Sequence, residues 1–268
     1  MTPIKQLVAV RRKAGLTREE FFDYHYQKHG ALSTGPEPAD TPMKYFQTHF
    51  IDAAYHADTS QDAANAHPVW AFSDDITELY FDSPEHLERV FKSRWVAEKV
   101  GPDGANFSDF SAVSPMFVKE EVISLVNNNE PQTEKPEENV FVAIYFVALQ
   151  DQTAHFEPLI PDFVSSLQEH ASNEVKRLTV NTPIKAGFDL GAYFRGESSH
   201  HCQSVLTITI NGRQSVHAIR AAQEDFEAKH TSLLALPATW IGFGERAVVF
   251  DQTNDIKFDS SRQPFKAR

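Results

Sequence analysis

Two histidines, His25 and His29, stand four residues apart in an aromatic-rich segment, Phe21–Leu32. On a helix, Phe21, His25, His29 and Leu32 fall on one face that is otherwise apolar. A buried histidine needs a polar partner, and imidazole titrates near neutral pH. This face therefore predicts either two core histidines with polar partners or a general acid/base beside a cavity.

The chemistry that this face could perform is proton transfer to or from carbon. For such a reaction we assign His29 as the general acid/base, and His25 or Tyr24 as the group that orients His29 or the substrate. Tyrosine hydroxyls and an imidazolium can stabilise a developing enolate or phenolate. Further along the chain, Asp103 and Asp109 stand in a loop from which either carboxylate could orient a histidine.

Three polar residues, Tyr45, Gln47 and His49, alternate along the next predicted strand and therefore share one face of it. They line a binding site if that face points inward, and they are solvated if it points outward; both readings stay open. Phe21 and Phe110 belong to a plentiful set of aromatic residues that could stack on a flat apolar substrate or fill the core. We assign these five residues to substrate binding.

The elements that must position these residues occur in the same order in each half of the chain. Predicted strands lie at residues 5–11, 45–51, 75–81 and 116–126 in the first half and at 140–149, 175–180, 205–210 and 246–250 in the second. Predicted helices run from a capping box at Thr17–Glu20 to about Leu32, over about 156–171, and over 215–229; a further helix starts at Ser83 and carries apolar residues on one face as far as Trp95. The order β-α-β-β-α-β is that of a ferredoxin-like unit. We therefore predict an α+β fold in which two such units pack sheet to sheet as a pseudo-dimeric α+β barrel.

The boundary between the halves lies at residues 127–139, a segment that contains two prolines and no apolar residue. We predict a first unit at residues 1–126, an acidic polar linker at 127–139, and a second, diverged unit at 140–268 that ends in a polar tail.

Composition excludes several classes of protein. The 268 residues carry a net charge of −12, which argues against a binder of nucleic-acid backbones. No apolar stretch is long enough to span a bilayer, and the N-terminal residues do not resemble a signal peptide. The single cysteine, Cys202, allows no internal disulfide. These features predict a cytoplasmic protein with no membrane or nucleic-acid partner.

The run from Arg11 to Leu32 resembles the opening motif of the EthD family. It has basic residues, then Gly15-Leu16-Thr17, Glu19-Glu20-Phe21, Tyr24, His29 and Leu32. Residues 81–85, 100–103 and 107–110 also resemble the fungal-type branch of that family. The resemblance covers about residues 5–122.

This resemblance implies a dimeric α+β barrel and a role in polyketide tailoring as a decarboxylase, dehydratase or cyclase. It implies a small hydrophobic aromatic substrate and no organic cofactor, in a chain that is a monomer or a homodimer. No metal is expected, because His25 and His29 could ligate an ion only with a third ligand that the sequence does not identify. The alternatives are a cofactor-free oxygenase on a similar substrate and a non-catalytic binding barrel.

Overall fold

The computed structural model describes residues 3–125, 138–194 and 201–266. The strands are β1 (Ile4–Val10), β2 (Lys44–Tyr55), β3 (Asp75–Phe81), β4 (Ser114–Ile123), β5 (Val140–Val147), β6 (Val175–Ile184), β7 (Ser204–Ile210) and β8 (Trp240–Asp251). The α-helices are α1 (Arg18–Asp23), α2 (Pro84–Lys92), α3 (Gly101–Asp103), α4 (Ile160–Ala171), α5 (Leu190–Phe194) and α6 (Val216–Lys229). Wider π-helical segments follow α1 at Tyr24–Gly30 and precede α3 at Val96–Val100. Within these ranges, no helix combines the length and the apolar character needed to cross a membrane.

The eight strands close into one antiparallel barrel in the order β1-β3-β2-β8-β5-β7-β6-β4. The pairings of β2 with β8 and of β4 with β6 join the two halves of the chain. The structure therefore confirms the predicted mixed α and β class and the barrel.

Side chains alternate between the inside of the barrel and its outer, helix-covered face. On β1, Leu7 and Ala9 point inward and join an apolar cluster with Phe146 and Trp240. Val8, which lies between them in sequence, points outward and packs beneath the first helix. This alternation is the period-2 pattern of a strand, so one strand serves both the barrel core and the helical layer.

The barrel interior also holds charge. The ammonium of Lys5 lies 2.7 Å from the Glu78 carboxylate and 2.6 Å from the Glu120 carboxylate. All three groups lie on inward-facing positions, and Tyr80 donates a hydrogen bond to Glu120 at 3.0 Å. The cluster is satisfied by ion pairs, as buried charges must be.

One helix and one strand differ from their predicted bounds, and most of the predicted linker is not described. The helix predicted to carry its apolar face as far as Trp95 ends at Lys92, because Ser93 takes an extended backbone conformation before the chain turns helical again ahead of the second π-helical segment. The last strand, predicted at residues 246–250, begins at Trp240. All but the last two residues of the predicted linker at 127–139 lie outside the described residues.

Candidate active site

The first helix changes its winding where the two histidines occur. Thr17 caps its start with the predicted capping box, in which the Thr17 hydroxyl accepts from the amide of Glu20. After Asp23 the helix widens into the π-helical segment, which carries both histidines with their ring centroids 5.5 Å apart. The predicted placement of His25 and His29 on one face is confirmed. Single π-helical turns within helices occur frequently at functional sites.

Both histidines line a cavity of about 130 Å³ on the outer face of β1, β2 and β3. The second π-helical segment and α5 form the opposite wall. Most of the lining is apolar, and its aromatic members include Phe81, Phe91, Trp95, Phe107, Phe110, Tyr193 and Phe194. An engineered apolar cavity of about 150 Å³ accepts benzene, so this cavity has room for about one aromatic ring.

His29 is held at the cavity wall by a carboxylate. Its Nδ1 lies 2.9 Å from an oxygen of Asp103, and the other Asp103 oxygen accepts a hydrogen bond of 2.8 Å from the Tyr24 hydroxyl. The Asn106 amide also donates to Asp103 at 2.9 Å. Of the two aspartates proposed to orient a histidine, Asp103 does so, whereas Asp109 pairs with Arg11.

The electrostatics of this pair fix the form of the imidazole. Hydrogen bonding to His29 lowers the pKa of Asp103 to about 2, so the carboxylate is ionised. Burial lowers the pKa of His29, which favours the neutral ring. A neutral His29 that donates Nδ1–H to Asp103 presents the lone pair of Nε2, and within the described residues this nitrogen has no hydrogen-bond partner. This is the tautomer that a general base needs.

His25 belongs to a second network that forms the cavity floor. Its Nε2 lies 3.2 Å from the Tyr45 hydroxyl and 3.4 Å from the Thr77 hydroxyl. The Gln47 amide nitrogen donates to the Tyr45 hydroxyl at 2.6 Å and to the backbone carbonyl of His25 at 3.0 Å. Burial raises the pKa of Tyr45, so its hydroxyl stays protonated near neutral pH. Phe107 stacks on the His25 ring at 4.5 Å and fixes its plane.

One lining residue has unused hydrogen-bonding capacity. Gln6 is 1% exposed, and neither its amide nitrogen nor its amide oxygen has a partner among the described residues. It lies on β1 between Leu79 and Phe117 of the neighbouring strands and borders the cavity. A buried amide without partners costs about 1–3 kcal/mol, and a polar ligand group in the cavity would satisfy it. In sequence Gln6 stands next to Lys5 at the start of an otherwise apolar strand, which is too weak a signal to identify it.

The predicted substrate-binding residues divide into two sets. Tyr45 and Phe110 line the cavity, whereas Phe21, Gln47 and His49 are buried behind its wall. The ring of His49 stacks on Phe22 at 4.2 Å. Tyr24, predicted to orient His29 or the substrate, lies outside the lining and reaches His29 through Asp103.

Two groups of side chains within the described ranges have the composition of a metal site. One consists of His25, His49 and Asp75 and is fully buried beneath the cavity floor. The other, on the surface of α4 and α6, consists of Glu169, His170 and Asp225. The sequence pairs His25 with His29, but His29 is engaged by Asp103 and belongs to neither group.

Residues 13–111 match the EthD domain family. Among solved structures, an anthrone oxidase-like protein superposes with a TM-score of 0.55 at 7% identity, covering 94% of this chain and 95% of its own. A candidate monooxygenase from Fusobacterium nucleatum has a TM-score of 0.48 at 9% identity, covering 100% of this chain and 99% of its own. A second candidate monooxygenase, from Lactobacillus acidophilus, has a TM-score of 0.43 at 10% identity, covering 92% and 96%. No curated protein matches the chain in sequence. At this identity, the likeness to the anthrone oxidase-like protein shows a shared fold.

Proposed function

We propose that the chain, whose residues 13–111 match the EthD domain family, is a lyase or cyclase, of the decarboxylase or dehydratase type, acting on an aromatic polyketide-like small molecule. The observation that carries the proposal is the relay in which Tyr24 and Asp103 hold His29 at the wall of an apolar cavity. The proposed reactions are driven by proton transfer and involve no net oxidation or reduction, so they need no redox cofactor.

In the proposed step, Nε2 of neutral His29 accepts a proton from a carbon next to a carbonyl or from a phenol. Asp103 stabilises the imidazolium that results. In a dehydration the imidazolium returns that proton to the departing hydroxyl, and water leaves as the double bond forms. In a cyclisation the enolate attacks a second carbonyl, and the imidazolium protonates the alkoxide. In a decarboxylation the bond to the carboxylate breaks, carbon dioxide leaves, and the imidazolium protonates the carbon. General acid–base catalysis of this kind contributes about 10² to 10⁴ in rate.

The cavity indicates how the substrate is bound. Its volume and aromatic walls suit one aromatic ring, with Phe107 and Phe110 as stacking surfaces. The free amide of Gln6 and the protonated hydroxyl of Tyr45 are positioned to bind a carbonyl or phenolic oxygen. We propose that His25 and Gln47 hold Tyr45 in place, and that His49 and Phe21 support the wall from behind.

The proposal is tested by incubating phenolic and polyphenolic acids with the protein under nitrogen. Wild type should form product without oxygen, and His29→Gln and Asp103→Asn should lose at least about tenfold in kcat/KM, which is about 1.4 kcal/mol. His230→Gln is the matched control. The side chains of His29 and His230 are each 14% exposed, and each lies about 3 Å from an aspartate. Equal loss in the control would remove the assignment of His29.

A cofactor-free oxygenase is the second candidate function, and the fold shared with an anthrone oxidase-like protein supports it. The same base would deprotonate a phenolic substrate to a phenolate, and the ring carbon that shares its charge would then form a bond to dioxygen, which is the oxidant and is reduced to the peroxide level. Product formation that stops under nitrogen, with oxygen uptake in air, would select this reaction over the lyase. Binding of the ring compounds without turnover under either gas would instead select the non-catalytic binding barrel.

We also propose that each half is a ferredoxin-like unit. The strand orders β4-β1-β3-β2 and β6-β7-β5-β8 within the barrel support this description, since both halves place their first and third strands at the centre.

A further inference from the structure

Asp75, at the start of β3, is a carboxylate whose negative charge has almost no hydrogen-bond donor beside it. It is 0% exposed, and its Oδ2 has no hydrogen-bond partner among the described residues. Its Oδ1 accepts only a long hydrogen bond of 3.5 Å from Thr77. A buried carboxylate is retained only if it is neutralised, paired or bound to a metal. A proton or a cation must therefore balance the negative charge on Oδ2.

Two imidazole nitrogens face this oxygen. Nδ1 of His25 lies 3.4 Å from Oδ2 of Asp75, and Nε2 of His49 lies 3.6 Å from the same atom. Charge-assisted hydrogen bonds between these groups are normally about 2.7–2.9 Å long. Ligand atoms that share an ion at bonds of about 2.1 Å are about 3.0–3.4 Å apart. The observed separations are closer to the second geometry than to the first.

The environment of His49 contains acceptors rather than donors. The Gln47 amide orientation is fixed, because its nitrogen donates to the His25 carbonyl and to the Tyr45 hydroxyl. Its oxygen therefore faces Nε2 of His49 at 3.0 Å. Two oxygen atoms, from Gln47 and Asp75, therefore face the same buried nitrogen of His49, an arrangement that a cation between them would stabilise.

The second nitrogen of His25 is positioned as in a ligating histidine. Such a residue donates its other ring N–H to an oxygen, which fixes its tautomer. If Nδ1 of His25 faces an ion, Nε2–H is free to donate to Tyr45 at 3.2 Å. Because His25, Tyr45 and Thr77 also line the cavity, the cavity supplies an entry path to the cluster.

We propose that Nδ1 of His25, Nε2 of His49 and Oδ2 of Asp75 bind a divalent first-row transition-metal ion, with the amide oxygen of Gln47 beside them as a fourth ligand. Two imidazoles and one carboxylate suit zinc or iron(II) better than calcium or magnesium. The site lies beneath the cavity floor and does not include His29. The proposal is therefore independent of the acid–base function and is tested without measuring turnover.

The surface group of Glu169, His170 and Asp225 does not share these features. Its residues are exposed or half-buried, and Asp225 already accepts hydrogen bonds from Ser166 and Lys229. Exposed acidic groups are usually solvated, so this group serves as an internal comparison for metal binding.

The experiment measures metal content by mass spectrometry on the full chain, purified without a polyhistidine tag. We expect about one zinc or iron ion per chain, which slow dialysis against a chelator removes. Cobalt(II) added to the stripped protein should give visible d–d absorption and raise its Tm. His49→Gln and Asp75→Asn should bind cobalt at least about tenfold more weakly. The control is His86→Gln, which replaces another buried histidine that contacts an aspartate, Asp82, at 3.2 Å.

The results that overturn the proposal are equally direct. Wild type that contains no metal as purified, and that shows neither cobalt absorption nor a rise in Tm with zinc, cobalt or iron(II), would show that a proton compensates Asp75 instead. Metal content that is unchanged in His49→Gln and Asp75→Asn but lost in His170→Gln would place the ion at the surface group. If these variants fail to fold, the surface variant His170→Gln decides: cobalt absorption that it keeps supports the buried group, and cobalt absorption that it loses overturns the proposal.

Discussion

The outer faces of the two halves of the barrel are built from the same elements but filled differently. Beneath the first helix, the sheet carries six buried polar residues, Gln6, Tyr45, Gln47, His49, Asp75 and Thr77, of which three border the cavity. Beneath α4 and α6, the corresponding face is a continuous apolar cluster that includes Leu167, Leu206, Ile208 and Phe226. Buried polar contacts there include those of Glu227, which accepts hydrogen bonds from Tyr145 at 2.9 Å and from Gln223 at 2.7 Å.

The helical layer therefore encloses a cavity in the first half and packs closely against the sheet in the second. In the second half, Phe163 packs against Phe226 with ring centroids 5.3 Å apart and fills the space between helices and sheet. In the first half, the π-helical segments stand on either side of a cavity instead. The only histidine of α4, His170, lies at the surface near Asp225, so nothing on that helix corresponds to His29.

The largest expected effect is on the chemistry of the first half. Replacing His29 with Gln removes the proposed base while keeping a polar side chain of similar size. We expect kcat/KM for anaerobic turnover to fall about 10² to 10⁴-fold, with little change in the free energy of unfolding. Steady-state kinetics beside a denaturant titration separates the two quantities. A variant that keeps wild-type kcat/KM would contradict the assignment.

The next largest effect is on stability and concerns the second half. Leu167 is 2% exposed within the apolar cluster, so Leu167→Ala should lower the free energy of unfolding by about 2–5 kcal/mol. Below the melting transition, kcat/KM should stay unchanged, because the residue lies far from the cavity lining. A drop in kcat/KM of the folded variant would break the division between the two halves.

A smaller effect concerns the barrel interior at low pH. Although burial opposes the ionisation of Glu120, the ammonium of Lys5 and the hydrogen bonds from Lys5 and Tyr80 lower its pKa to about 2. A lowered pKa contributes stability above the unfolded value near 4.5, and that contribution is lost as the pH falls toward 2. Glu120→Gln should therefore be less stable than wild type at pH 7, and the gap in unfolding free energy should narrow at pH 3. A gap that is independent of pH would show that Glu120 is not ionised in the folded protein.

The smallest effect tests the free amide in the cavity. Gln6→Leu removes a buried group without partners, so we expect the free energy of unfolding to be unchanged or higher. Loss of one hydrogen bond to the substrate should raise KM or lower kcat/KM by about twofold to tenfold, from about 0.5–1.5 kcal/mol. A denaturant titration and steady-state kinetics on the same preparation measure the two quantities. A variant that is less stable and equally active would mean that Gln6 only packs.

Local sequence signals predicted most of the secondary structure. The capping box at Thr17 and the proline that follows the Ser83 cap start their helices as expected, because these signals act within one turn. The strand at residues 75–81 has the predicted bounds, since its side chains alternate. The first half of β8 escaped prediction because Gly242 and Gly244 resemble a loop. They are glycines because a Cβ at Gly242 would meet the Phe50 ring 2.6 Å away, and one at Gly244 would collide with the His49 backbone.

The candidate site was only partly predictable. Helical periodicity placed His25 and His29 together, since both lie within one segment of the chain. The partners that fix their chemistry are distant in sequence: Asp103 lies 74 residues from His29, and Asp75 lies on the third strand. Barrel closure and helix packing bring them together, and no local pattern encodes those contacts. The short helix α5 adds Tyr193 and Phe194 to the cavity wall. It belongs to the other half of the chain, and its contribution to the cavity could not be predicted from the sequence either.

The central claim is that His29 exchanges a proton with a ligand bound in the cavity of the first half. The most direct test is a crystal structure of the protein with a one-ring phenolic acid. The account predicts the ring between Phe107 and Phe110, with one oxygen within hydrogen-bond distance of Nε2 of His29 and another at the Gln6 amide. A ring bound elsewhere while this cavity stays empty, or a His29 whose Nε2 turns away from the ligand, would contradict it.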